Sequence, residues 1–257
     1  MINLINLNNI QATKPSFLLE TILPIQEREI NLFSSVGGGG KSWTLLKTLA
    51  LLNTVEKKRV FGWFSEDEAG VTKHRLEILK NADNTIAEAE IIVTDDRARH
   101  FIEYDRNKNL LVTDFFNKFK EQMKEFDIIC LDPLIAFYGA DENSNVQARF
   151  FTDMLNEWCK KENKTILMIH HHSKGENGAV RGASAFIDAV RIHYEVQKKE
   201  NNDSDRFLAL KKTNHYNGKS EFRINLFKER YEVVYEDISK DTNETKQPKK
   251  SLWEVMR

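Results

Sequence analysis

The residues best suited to chemistry are a run of four glycines followed by a lysine and a serine. The stretch Phe33 to Ser42 reads FSSVGGGGKS, and it joins an apolar run, predicted to be a strand, to a segment with helical periodicity. Glycines let backbone amides turn towards one point, and a helix N-terminus adds its dipole, so this stretch predicts an anion site of the P-loop type. We expect Lys41 to reach the β- and γ-phosphates of ATP, and the Ser42 hydroxyl to ligate a bridging Mg²⁺.

The predicted phosphate loop departs from the GxxxxGK[ST] pattern at one position, because Ser35 stands where the first glycine is expected. A flexible glycine loop without a ligand is the alternative interpretation, but the position between a strand and a helix favours nucleotide binding. The predicted nucleotide-binding residues are those of the loop, the start of the helix and one acid further along the chain: Ser35, Gly37, Gly38, Gly39, Gly40, Lys41, Ser42, Trp43 and Asp132.

Two acids follow apolar runs and could complete a hydrolytic site. Asp132 ends the run 127–131, and ligands bind at the carboxyl ends of strands in open α/β sheets, so Asp132 is predicted to hold Mg²⁺ together with Ser42. An acid that caps the next segment is the alternative. Glu66 follows the run 59–64 and is the predicted catalytic residue that orients the attacking water. Its alternative is an acidic first turn that suits the dipole of the following helix.

Apolar runs alternate with segments of helical periodicity between residues 29 and 169. This alternation predicts an α/β fold in which helices flank a central, mostly parallel sheet. The predicted strands are 29–33, 59–64, 91–94, 127–131 and 165–169, and the predicted helices are 41–52, 69–80, 112–126 and 146–161. Shorter runs at 189–197, 207–212, 222–227 and 231–235 predict an antiparallel C-terminal extension of the same sheet.

Length and composition set limits on the function. The 257 residues (30.0 kDa) suit one main domain, and a net charge of -1 excludes a global positive field for nucleic acid. Two cysteines cannot make a disulfide framework or a four-cysteine zinc site. The sequence contains no apolar stretch of about 18 residues and no signal-peptide pattern, so we expect a cytoplasmic protein without a membrane partner.

Four stretches in this order make the chain resemble the hexameric replicative helicases of the RepA type, which are relatives of the DnaB-like ring helicases. They are residues 34–42, 65–67 with 74–76, 131–132 with 141–143, and 169–175. The resemblance runs from about residue 15 to residue 235 and implies a RecA-like P-loop NTPase. It implies an N-terminal arm over 1–28, a RecA-like ATPase core over 29–236 and a polar tail or linker over 237–257. The implied cofactors are ATP and Mg²⁺.

The resemblance also suggests roles for residues beyond the loop. Matching the sequence Ser173-Lys174-Gly175 gives His171 the catalytic role of sensing the γ-phosphate, with His170 as the next candidate. Three consecutive histidines suggest a metal site at first sight. Adjacent strand residues point to opposite faces, however, so His170, His171 and His172 do not easily share one ion.

Cations in the C-terminal half are the implied contacts across a subunit interface. The resemblance makes Arg191 an arginine finger, with Arg181 in reserve, and brings Lys212 to the neighbouring nucleotide. An ion pair of Arg191 with Asp188 or Glu195 is the structural alternative. The implied DNA-binding residues are Lys174 and Arg181, for which solvated surface loops are the alternative.

The implied function is an ATP hydrolase acting as an ATP-dependent DNA helicase or translocase, in the form of an oligomeric ring, in plasmid, phage or mobile-element replication. The implied partners are single-stranded DNA, further copies of the chain in a hexamer, and an initiator or primase. A recombination or repair ATPase of the same fold is one alternative. An ATP-switch regulator or loader without motor activity is another. A nucleoside or protein kinase fits less well, because the sequence shows no arginine-rich lid.

Overall fold

The structure is a computed structural model, and it describes residues 4–35, 37–171, 184–198, 205–218, 221–225 and 236–237. The strands are β1 Phe17–Leu18, β2 Ile25–Gln26, β3 Ile30–Ser35, β4 Val60–Phe64, β5 Ile92–Val93, β6 Ile102–Tyr104, β7 Leu110–Val112, β8 Ile128–Asp132, β9 Thr165–His171, β10 Ile192–Lys198, β11 Asp205–Thr213, β12 Glu221–Asn225 and β13 Glu236–Asp237. The α-helices are α1 Lys41–Thr54, α2 Ala69–Ala82, α3 Asp114–Gln122, α4 Asn145–Glu162 and α5 Ala185–Ala189. None of these helices is both long and apolar enough to span a membrane.

Nine strands of the described residues form one sheet, in the order β13-β12-β11-β10-β3-β9-β8-β4-β5. The six strands from β10 to β5 in this order run parallel. The strands β11, β12 and β13 are antiparallel to their neighbours. The predicted fold, a mostly parallel sheet flanked by helices with an antiparallel C-terminal extension, is confirmed. Because β3, β9, β8 and β4 are parallel neighbours, the loops that follow them lie at one edge of the sheet.

Helices cover both faces of the sheet because its central strands are apolar on both sides. Every residue of β3, β4 and β8 is buried. Successive residues of a strand point to opposite faces, so Cys130 packs in one cluster with Leu45 of α1, whereas Leu131 packs in the other with Phe151 of α4. This two-sided core fixes the strand ends that carry the candidate site.

Two predicted elements differ from the structure, and a third cannot be compared with it. The predicted helix over 112–126 is shorter and begins at Asp114, because the Thr113 hydroxyl accepts a hydrogen bond from the Phe116 amide at 3.2 Å and caps it. The predicted strand over 189–197 begins only at Ile192, since its first residues end α5 or follow it. This strand, β10, is also not antiparallel to the core, because it pairs in parallel with β3. The predicted strand over 231–235 lies outside the described residues.

The segment before β3 forms a small hairpin that sequence periodicity did not reveal. β1 and β2 pair antiparallel, and Leu18, Leu23 and Ile25 are buried in the same cluster as α1. The Tyr194 hydroxyl of β10 donates to the Pro24 carbonyl at 2.7 Å. This part of the predicted N-terminal arm therefore packs on the core.

Candidate nucleotide site

The glycine loop between β3 and α1 is exposed at Gly37 and Gly38. Gly38 and Gly40 have φ angles of 72° and 87°, in the left-handed region that favours glycine. A Cβ atom added to Gly37 or Gly38 would meet no heavy atom within 4 Å. Helix α1 begins at Lys41, directly after the loop, so its N-terminal amides and its dipole add to this end of the loop. The loop can therefore surround an anion, as its sequence predicts.

Lys41 is buried at the base of the loop, with 5% of its surface exposed. Its Nζ donates to the Ser35 backbone oxygen at 3.2 Å and to the Ser35 hydroxyl at 2.9 Å. Burial lowers the pKa of the ammonium group, while the charges of Asp132 and Glu66 act in the opposite direction. The site thus keeps a cation beside the open loop and two acids within electrostatic range of it.

Asp132, the last residue of β8, meets the start of α1. The Ser42 hydroxyl donates to Asp132 Oδ2 at 2.7 Å. The pKa of Asp132 is raised to about 6, mainly by burial and in smaller part by the charge of Glu66, against the opposing effects of the Ser42 hydrogen bond and of Lys41. Two hard oxygen donors at this separation, one of them a carboxylate whose charge is poorly compensated, fit the needs of a Mg²⁺ ion. The residues present therefore suit the implied metal.

Glu66 lies at the same edge of the sheet as Asp132. Ser65 joins the ends of β4 and β8, because its amide and its hydroxyl donate to the Asp132 carbonyl at 2.8 and 3.1 Å. Glu66 follows directly, and its side chain is 64% exposed. The shortest contact between its carboxylate and His171 is 3.8 Å, from Oε1 to Nε2. Both predicted catalytic groups therefore lie at this edge.

The neighbouring histidines on β9 face different surroundings. His170 is buried, and its ring centroid lies 5.2 Å from that of Phe186. His171 is the half-buried neighbour of Glu66. His172 lies outside the described residues. Within the part of the chain that is described, no group of three or more His, Cys, Asp and Glu side chains is arranged to hold a metal ion.

Arg191 and Lys212 lie near the start of β10, at the edge of the sheet opposite the phosphate loop. Ile192 pairs with Asn31 in the parallel register, and Ser35 lies four residues further along β3, roughly 13 Å at about 3.3 Å per residue. Lys212 pairs with His193, directly after Ile192, so neither cation lies at the phosphate loop of its own chain.

Both cations have partners among the described residues. Arg191 Nε lies 4.0 Å from Glu29 Oε1, so Glu29 takes the place of the predicted partners Asp188 and Glu195 in an ion pair. Lys212 Nζ donates to the backbone oxygens of Ile187 and Asp188 at 2.9 and 2.7 Å. The predicted DNA contacts Lys174 and Arg181 lie outside the described residues.

Sequence reasoning missed two polar contacts around the site. Arg75 makes two hydrogen bonds to the Asp67 carboxylate, and its guanidinium carbon lies 5.8 Å from the ring centroid of Trp43. The sequence signal for this contact is an acid and an arginine that lie eight residues apart, on the two sides of the turn into α2. The second contact is 2.6 Å between Ser34 Oγ and His193 Nε2, and a separation of 159 residues gives no local signal.

Comparisons with known proteins agree with this geometry. The family model described as the AAA domain matches residues 14–177. No curated protein matches the chain. A solved structure of the ATPase domain of G40P is similar, with a TM-score of 0.62, 11% identity, and coverage of 80% of this chain and 84% of that one.

A second similar structure is that of a DnaB-like replicative helicase, reported with its interactions with primase. The TM-score is 0.63 at 12% identity, over 80% of this chain but only 57% of that one. At these identities the likeness shows the fold, which is the RecA-like P-loop fold of such ATPase domains. The resemblance to the DnaB-like group is confirmed at that level, and the narrower RepA type stays a prediction.

Proposed function

Because the chain belongs to the AAA domain family, we propose that it hydrolyses ATP with Mg²⁺ and uses the energy to move along single-stranded DNA as an oligomeric ring. One observation carries the ATPase part of this proposal. The open glycine loop, the pair formed by Ser42 and Asp132, and the exposed Glu66 lie at the edge of the sheet where the parallel strands β3, β8 and β4 end. Phosphate binding, metal binding and water activation need these three groups together.

Each residue of the site has a physical role in this proposal. Lys41 donates to the β- and γ-phosphate oxygens and balances the charge that develops on them. Ser42 and Asp132 would hold Mg²⁺, which neutralises phosphate charge when bound. Glu66 accepts a hydrogen bond from the attacking water and orients it, and its exposure leaves room for that water.

His171 is proposed to pass the state of the γ-phosphate to the segment that follows β9. It ends that strand and lies 3.8 Å from Glu66, so loss of the phosphate would change the electrostatic surroundings of both side chains. Arg191 and Lys212 are proposed to act on the nucleotide of a neighbouring copy. Their distance along the sheet from their own loop supports action in trans and speaks against action in cis.

The finer parts of the proposal rest on the sequence resemblance. They are a hexameric ring, DNA contact through Lys174 and Arg181, an initiator or primase partner, and service in plasmid, phage or mobile-element replication. The similar fold of a DnaB-like replicative helicase supports them. A cytoplasmic location belongs to the same proposal.

The proposal is tested by ATP turnover and by particle size. We expect the purified chain to hydrolyse ATP with Mg²⁺, to turn over faster with single-stranded DNA, and to elute as a closed oligomer in the presence of ATP. Long filaments with DNA stimulation would favour a recombination or repair ATPase. Nucleotide binding without turnover would favour a switch regulator or loader. Absence of nucleotide binding would refute the proposal.

A further inference from the structure

Ser35 is the position at which the loop departs from the GxxxxGK[ST] pattern, and its hydroxyl contacts the loop lysine. Lys41 Nζ lies 2.9 Å from Ser35 Oγ, a closer contact than the 3.2 Å to the Ser35 backbone oxygen. A glycine at this position would keep the backbone acceptor and offer no hydroxyl. The contact is therefore a consequence of this chain's own departure from the pattern.

The hydroxyl acts on a cation that has lost most of its contact with water. Ser35 is fully buried, and Lys41 is 5% exposed. A buried ammonium group needs acceptors, and a hydrogen bond to a charged group stabilises more than one between neutral groups. The Ser35 hydroxyl thus stabilises the position that Lys41 has in this structure.

Nucleotide binding places a second set of acceptors beside the same ammonium group. The ammonium group has three N–H donors, and anionic phosphate oxygens accept hydrogen bonds more strongly than a neutral hydroxyl does. As Lys41 turns towards phosphate, its bond to the hydroxyl is weakened or exchanged. A contact that is stronger in the empty form than in the loaded form shifts the binding equilibrium towards the empty form.

We propose that Ser35 is a positioning residue that holds Lys41 in the empty site and thereby weakens nucleotide binding. An ATPase that must empty its site in every cycle gains faster nucleotide release from such a contact. The inference rests on the proposed ATPase function, and it gives the predicted nucleotide-binding residue Ser35 a specific role, which it exerts through Lys41.

The test is the affinity of Ser35→Ala for a fluorescent ATP analogue with Mg²⁺, measured on the full chain. We expect a Kd roughly tenfold lower than that of the wild type, equivalent to about 1.4 kcal/mol at 25 °C. We also expect the nucleotide-free variant to melt at a lower temperature than the nucleotide-free wild type. When both proteins are saturated with nucleotide, their melting temperatures should lie closer together. A purely structural role would lower stability without raising affinity.

Two further variants make the test specific. Ser35→Gly restores the pattern residue and should also bind more tightly, which keeps the test available if Ser35→Ala folds poorly. Ser34→Ala is the matched control, because this neighbouring buried hydroxyl lies 2.6 Å from His193 Nε2, and its loss should lower stability without tightening binding.

The outcomes separate the inference from the proposed function. If the wild type binds no nucleotide, the proposed function fails. If the wild type binds nucleotide but Ser35→Ala and Ser35→Gly bind equally or more weakly, only the role of Ser35 is overturned. An equal gain in nucleotide affinity in Ser34→Ala would also overturn the role of Ser35, because a general disturbance of β3 would then explain the effect.

Discussion

Replacing Asp132 by asparagine should stabilise the nucleotide-free protein, and the gain should depend on pH. Asp132 is 5% exposed, and burial raises its pKa to about 6 from an ordinary value of 3.8. The shift of about two units corresponds to roughly 3 kcal/mol, at about 1.36 kcal/mol per unit. Above pH 6 the folded protein holds a charged carboxylate that burial disfavours. Asparagine removes this charge and keeps an oxygen that can accept from Ser42.

The direction of the pH dependence follows from proton binding. Between about pH 4 and pH 6 the folded state holds the Asp132 proton more tightly than the unfolded chain does. The contribution of Asp132 to the free energy of unfolding therefore falls as the pH rises through this window. We expect the stability advantage of Asp132→Asn over the wild type to grow by about 2 kcal/mol between pH 4.5 and pH 8.

Urea denaturation of both proteins without nucleotide, at a series of pH values, measures this advantage. Asp127→Asn is the matched control, because Asp127 is an exposed acid just before β8, at the other end of the strand from Asp132. Its stability relative to the wild type should change by less than about 0.5 kcal/mol over the same range. A constant difference between Asp132→Asn and the wild type across this range would refute the argument that burial raises the pKa of Asp132.

Four further results are expected. Lys41→Ala should weaken ATP binding by roughly a hundredfold or more and abolish turnover, because the loop loses its cation; unchanged binding in a fluorescence titration would contradict this role. Glu66→Gln should lower kcat by about a hundredfold or more with little change in KM, and a raised KM with unchanged kcat would show that Glu66 acts in binding. Arg191→Ala should bind ATP and lose hydrolysis, and its addition to wild type should inhibit more than dilution does; inhibition by dilution alone would exclude a finger in trans. The affinity for Mg²⁺ and nucleotide should fall about tenfold per pH unit below about pH 6, since Asp132 must lose its proton first. Asp132→Asn should make that pH dependence shallower, because only the titration of the phosphate groups remains, and an unchanged slope would assign the dependence to another group.

Elements with a local signal were predictable from the sequence. The glycine run predicted the loop, and the apolar run ending at Asp132 predicted β8. Both predictions were possible because turns and buried strands depend on residues that are consecutive in the sequence. The hairpin β6-β7 was missed because its strands have three residues each and are mostly exposed, so they carry little apolar pattern. The parallel direction of β10 was missed because direction depends on a crossover and not on the strand's own residues.

Long-range partners within the site were the least predictable part. The position of Glu66 relative to His171 depends on the order of β4, β8 and β9 in the sheet, which only the assembled fold supplies. The partner of Arg191 proved to be Glu29, which is distant in sequence and adjacent in the sheet. The contact between Ser35 and Lys41 had a visible signal, since a serine replaces a pattern glycine, but the sequence could not show which group its hydroxyl meets.

The most direct test of the account is a crystal structure of the chain with Mg²⁺ and a non-hydrolysable ATP analogue. We expect the triphosphate to lie against the amides of residues 37–40, and a metal ion to lie between the β- and γ-phosphates and the pair formed by Ser42 and Asp132. The Glu66 carboxylate should face the γ-phosphate. An empty glycine loop, or acids directed away from the phosphates, would contradict the central claim that this edge of the sheet binds and hydrolyses ATP.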